Sequence, residues 1–183
     1  MIVDLSIKEL RMKVSVIVAA GLLLFPLATV SAQGVNDAQI ASIVVTANQV
    51  DIDAGKLGIS RSTNAQVKAF AQLMVTDHTS VNKSATDLAG KLKVTPQDNP
   101  TSQSLKSDGD KNIAHLKTLK GIAFDKAYVD HEVAYHQQVI DALDKTLIPS
   151  ATNAELKALL IKVRPAFVAH LEHAKHLQSS TGK

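Results

Sequence analysis

In four long stretches of this chain, apolar residues recur every three to four positions. That spacing constrains the fold more than any other feature of the sequence. A helix advances about 100° per residue, so the spacing gathers each set into one stripe. The first stripe is Ile40, Val44, Ala47 and Ala54, and the second runs from Val67 through Ala71, Met74 and Ala85 to Leu92. The third runs from Val129 through Val139 and Ile140 to Leu147, and the fourth from Leu156 through Val163, Ala166 and Phe167 to Leu177. Strand signals are nearly absent: no run alternates β-branched residues, and no Asn-Gly turn links two such runs.

Capping residues place the helix ends. Asn36, with Gln39 at the third position, predicts a helix from about Asn36 to Ile59, where Gly55 and Gly58 lower the propensity near its end. Thr63 and Gln66 form a candidate capping box for a helix to about Lys93, closed by Pro96 and Pro100. A shorter piece, about Thr101 to Leu119, reads as interrupted at Ser107-Asp108-Gly109-Asp110. A third long helix runs from about Ala123 to Leu147, stopped by Pro149. A fourth runs from about Asn153 to Ser179, with Thr152 and Glu155 as its box and a kink expected at Pro165. The fold class is therefore all-α. The expected architecture is a ferritin-like four-helix bundle with a short extra helical segment between the second and third long helices. That connection, about residues 94–121, is long enough to cross the bundle and favours an up-down-down-up order.

The N-terminus carries a different pattern. Lys8, Arg11 and Lys13 precede an apolar run from Val14 to Val30, and Val30-Ser31-Ala32 offers small residues for cleavage. Residues 1–32 read as a signal peptide and 33–183 as a single helical-bundle domain, periplasmic or otherwise exported. No stable transmembrane anchor is expected after cleavage. Removal of Asp4, Lys8, Glu9, Arg11 and Lys13 takes the net charge from +3 to +2. That balance, without a basic stripe, argues against a nucleic-acid partner. Cysteine is absent, so thiolate metal sites, thiol catalysis and disulfide staples are excluded.

Each apolar stripe is broken near its middle by one polar residue: Asp51, His78, His136 and His170 in turn. Similar helices packed side by side bring their midpoints to one level. Three imidazoles and a carboxylate at one depth admit two readings. One is a metal site, whose nitrogen-rich donors suit Zn²⁺, Fe²⁺, Mn²⁺ or Cu²⁺ rather than Ca²⁺ or Mg²⁺. The other is a hydrogen-bonded network that fixes helix register in a non-enzymatic structural or envelope-stress interaction module. A di-iron carboxylate centre is disfavoured, because Val75, Val133 and Phe167 stand where a Glu-x-x-His motif needs glutamate. Asp77, Tyr128 and Glu132 are expected just outside the donors, with Tyr135 toward a stripe edge. His131 is expected to one side of its helix, and His115, His173 and His176 on the surface. No phosphate loop, Gly-x-Ser-x-Gly elbow or His-Glu-x-x-His pair nominates a catalytic residue.

The chain also resembles the bacterial domain-of-unknown-function family 4142, exported proteins with a predicted ferritin-like bundle. The resemblance covers almost all of residues 36–178. It rests on the stretch from Gln49 to Leu57, on Met74-Val-Thr-Asp-His78, on Phe124-Asp-Lys-Ala-Tyr128 with His136, and on Pro165 five residues before His170. At Asp51 the family more often has glutamate, which reaches further. The resemblance implies a helical fold and export, and it brings no activity with it.

Overall fold

The computed structural model describes residues 34–180; the signal-peptide assignment to 1–32 lies outside them. The described residues are all-helical. They form α1 (Asp37–Arg61), α2 (Ala65–Leu92), α3 (Pro100–Thr118), α4 (Gly121–Ala142), α5 (Ile148–Ser150) and α6 (Ala154–Ser180), with a wide π turn at Leu143–Leu147 joining α4 to α5.

The helix starts follow from asparagine. Asn36 caps α1 and exchanges hydrogen bonds with Gln39, as the sequence predicts. At α2 the cap is Asn64 rather than Thr63, its Oδ1 accepting from the amides of Gln66 and Val67. At α6 it is Asn153 rather than Thr152, accepting from Glu155 and Leu156. In both places asparagine sits one residue nearer the helix and competes better for the cap. Thr152 is left to bond Asp37 instead, which pins the start of α1 to the start of α6.

The expected break in α3 does not occur. Gly109 faces α1 so closely that an added Cβ would lie 2.7 Å from Val50 Cγ2. The glycine is there for close approach, and ion pairs Lys106–Asp110 and Lys111–Asp108 line the outer face. α6 continues through Pro165 as one helical segment. The carbonyl this proline leaves without a donor belongs to Ile161, which is 53% exposed, so water can serve it.

The long helices touch in the cyclic order α1, α2, α6, α4, with α3 laid along the outside of α1. Asn99, before α3, donates to the Gln39 carbonyl near the start of α1, and Arg61 at the end of α1 donates to the Lys117 carbonyl near the end of α3. Those ties set α3 parallel to α1. It carries the chain back to the far end, so α1 and α6 run one way and α2 and α4 the other. Two apolar clusters fill the interior, one at each end, and a polar layer lies between them.

Candidate metal centre

The polar layer is where the four stripe interruptions meet. Asp51, His78, His136 and His170 come from α1, α2, α4 and α6 in turn, and none is more than 4% exposed. Ring centroids of the three histidines lie 5.2–5.6 Å apart. One ring nitrogen from each lies within 4.8 Å of the other two. Asp51, Glu132 and His136 form a second group of donor atoms with the same spacing.

Each histidine is anchored by one nitrogen. Asn48 Nδ2 donates to the Val44 carbonyl at 2.8 Å, which turns Asn48 Oδ1 toward His78 as an acceptor. His78 Nδ1 lies 2.7 Å from it and carries the proton. His136 Nδ1 donates to the Glu132 backbone carbonyl at 3.0 Å. His170 Nε2 donates to the Asp77 carboxylate at 2.9 Å. The opposite nitrogens, Nε2 of His78 and His136 and Nδ1 of His170, are buried without a formed hydrogen bond.

The carboxylates complete the arrangement. Asp51 Oδ2 stands 2.6 Å from His78 Nε2 and 3.5 Å from His136 Nε2. At 2.6 Å the first pair is close enough for a hydrogen bond but not aligned for one. A carboxylate oxygen and a bare imidazole nitrogen at that distance need a positive charge between them. Burial pushes the Asp51 carboxyl upward, but His78, His136 and a hydrogen bond with Glu132 outweigh it and hold the group below the usual carboxylate range. Glu132 moves the other way: burial and the Asp51 charge raise it well above its ordinary value. Burial lowers His136 to about 4, with Asp51 opposing, and burial also lowers His170. Both are therefore neutral at pH 7. No lysine or arginine is buried among the described residues.

The donors fit a first-row metal ion. Three atoms within 4.8 Å of one another surround a point no more than about 2.8 Å from each, against metal–nitrogen bonds of about 2.0–2.1 Å, so shifts of under about 1 Å would close the site. The anchors supply what ligating histidines require, an acceptor on the far nitrogen that fixes ring and tautomer.

Glu132, expected outside the donors, is fully buried among them, and Tyr128 packs beside it with its hydroxyl pushed upward by burial and by the Glu132 and Asp51 charges. Asp77 stands behind His170. Tyr135 donates to the Ala47 carbonyl and stacks on His131, outside the donor set. His115, His173 and His176 are exposed, as expected, although His173 lies edge-on to Phe70. Asn48 was not foreseen. Its signal was its place three residues before Asp51, on the same face of α1.

An all-helical protein with histidines and carboxylates from every long helix in one buried layer is the class that fold and site define. The chain belongs to the family described as Domain of unknown function (DUF4142), whose model matches residues 26–177. No curated protein and no solved structure matches it.

Proposed function

We propose that this protein is an exported, ferritin-like four-helix bundle that binds one first-row transition-metal ion through His78, His136, His170 and Asp51, with Glu132 beside them. The role is storage, buffering or redox protection. One observation carries the reading: three buried imidazoles each have one nitrogen anchored and the other without a formed hydrogen bond, and Asp51 stands beside two of those second nitrogens. The antiparallel ring of helices and the outer crossover by α3 support the ferritin-like description. Bound there, Fe, Mn or Cu would supply electron transfer and Zn would supply Lewis acidity. The chain's own residues hold the imidazoles in the ligating tautomer and keep lysine and arginine out.

The test is elemental analysis of protein purified from the exported fraction without a histidine tag. The expected result is close to one ion per chain, an N-terminus at Gln33 and a melting temperature that rises with added metal. Metal at one hundred times its Kd stabilises a folded protein by about 2.7 kcal/mol. The variant His136→Gln loses both the ion and the rise. No bindable metal under reducing or oxidising conditions overturns the reading.

The 2.6 Å contact between His78 and Asp51 favours a second reading, in which a proton occupies the gap and the layer is a register-fixing network in a structural or envelope-stress module. On that reading His136→Leu melts at or above the wild type with no metal dependence, because an apolar side chain can replace a buried polar one at no cost.

A further inference from the structure

The end of the interior where α1 begins and α4 finishes holds a cavity of about 430 Å³ between α1, α3, α4 and α6. Ile43, Val44, Val139, Leu143 and Leu160 form its apolar wall. Asn48 and Phe167 line it next to the polar layer, where they respectively bond His78 and lie edge-on to its ring at 5.0 Å. None of the histidine or carboxylate donors lines it.

Protein interiors rarely leave a void larger than a water molecule. Water gains little in a space walled by aliphatic side chains. A cavity of this volume and lining falls within the range of small-molecule sites. The backbone points the same way. α4 widens into its π turn where it forms the cavity wall, and Leu143, Thr146 and Leu147 of that turn line the space. Such turns are rare and recur at functional sites.

The mouth defines the guest's other end. Thr101 and Ser104 on α3, Gln138 on α4 and Thr146 in the π turn are exposed lining residues that offer hydroxyl and amide groups. Asp108 adds a carboxylate, and no lysine, arginine or histidine lines the cavity. An anionic head would meet Asp108 without a lining cation to hold it, whereas a hydroxyl or ester head finds donors and acceptors. The lining on α4 and the π turn runs from Gln138 to Leu147, a rise of about 13 Å at the helical spacing, the length of an extended chain of about ten carbons.

We infer that this cavity binds a neutral single-chain amphiphile of about ten to twelve carbons, its hydroxyl or ester head at Gln138 and Asp108 and its tail along the wall past Leu143 toward Leu147. The site is separate from the metal donors, so the test is run with chelator present. The full chain takes up the neutral dye N-phenyl-1-naphthylamine at one per molecule. Monododecanoylglycerol displaces the dye, and dodecanoate does so at least tenfold more weakly. Ala142→Phe, which puts a ring into the cavity from α4, lowers uptake at least tenfold. Asp108→Lys, an exposed change that does not depend on repacking the core, shifts preference toward dodecanoate. No uptake, uptake unchanged in Ala142→Phe, or equal displacement by dodecanoate in both the wild type and Asp108→Lys overturns the inference. Uptake only after removal of residues 1–32 assigns the cavity to the chain's own apolar run at 14–30 and also overturns it.

Discussion

The two ends of the interior solve the same packing problem differently. Beyond the polar layer in one direction, Phe70, Phe124 and Tyr128 are fully buried with Val67, Met74, Val129 and Leu116. Phe124 stacks on Tyr128 at 6.2 Å, and Phe70 meets Tyr128 edge-on at 6.3 Å. In the other direction the core is largely aliphatic, most of its side chains keep a few per cent of exposure, and the cavity opens among them. A fold without disulfides depends on close packing for stability, and here the aromatic end supplies it. The aliphatic end can then leave space.

The largest expected difference tests that division. Phe70→Ala removes a ring from a filled site and should cost about 3–5 kcal/mol in urea denaturation. Leu143→Ala enlarges a space that already exists, so fewer contacts are lost and the cost should fall near about 2 kcal/mol, the low end for such truncations. Equal costs would mean that the two ends are packed alike.

The polar layer between them should respond to pH. The folded protein holds His136 near 4, and burial also depresses His170 and His131, while unfolded histidines titrate near 6.5. Between those values the unfolded chain binds protons that the folded chain does not. Stability therefore falls as pH drops from about 6.5 to about 4, His136 alone contributing about 3 kcal/mol. Glu132 opposes this, because its raised value makes the folded state the better proton binder above its ordinary range. Glu132→Gln removes the opposition, so the variant should lose stability more steeply over that window, by up to one proton's worth of slope. Thermal melts in chelator from pH 4 to pH 8 measure both. A wild type that melts at the same temperature throughout would show that the layer is not held neutral by its surroundings.

Much of this layer was legible in the sequence, and what was missed has a common cause. Asp51, His78, His136 and His170 stood out because each interrupts an otherwise apolar stripe. Glu132 is expected outside the donors because the third stripe is read as running from Val129 through Val139 and Ile140. The buried face is turned to include Tyr128, Glu132 and Tyr135, and Val133 is only partly covered. The fourth stripe is turned in the same way, with Leu160 and Leu171 buried where Val163 and Ala166 were expected. A helix with apolar residues on several sides does not announce which side its neighbours cover. Gly109 misled for a related reason: glycine that breaks a helix and glycine that lets two helices touch look the same in one dimension. The π turn leaves no local signal either, since Leu143–Leu147 continues a helical pattern.

Glycine also gives the finest test of the two ends. Gly58 lies at the aromatic end, where an added Cβ would stand 2.9 Å from Ala71 Cβ and 3.2 Å from Tyr128 Cζ. Neither neighbour can retreat easily: Ala71 is fixed to its helix, and the Tyr128 ring is held between Phe70 and Phe124. Gly58→Ala should therefore cost about 1–3 kcal/mol by overpacking, despite alanine's better helix propensity. Gly90 lies on α2 beside Ala89 at the aliphatic end, is exposed, and would place its Cβ within 4 Å of nothing. There the propensity acts alone. Gly90→Ala should raise stability by about 0.5 kcal/mol, less than a mid-helix site would give because the last turn of α2 is close. The same substitution is thus expected to carry opposite signs at the two ends. Paired urea denaturation curves read the difference directly, and a Gly58→Ala protein as stable as the wild type would show that the aromatic end is looser than its geometry implies.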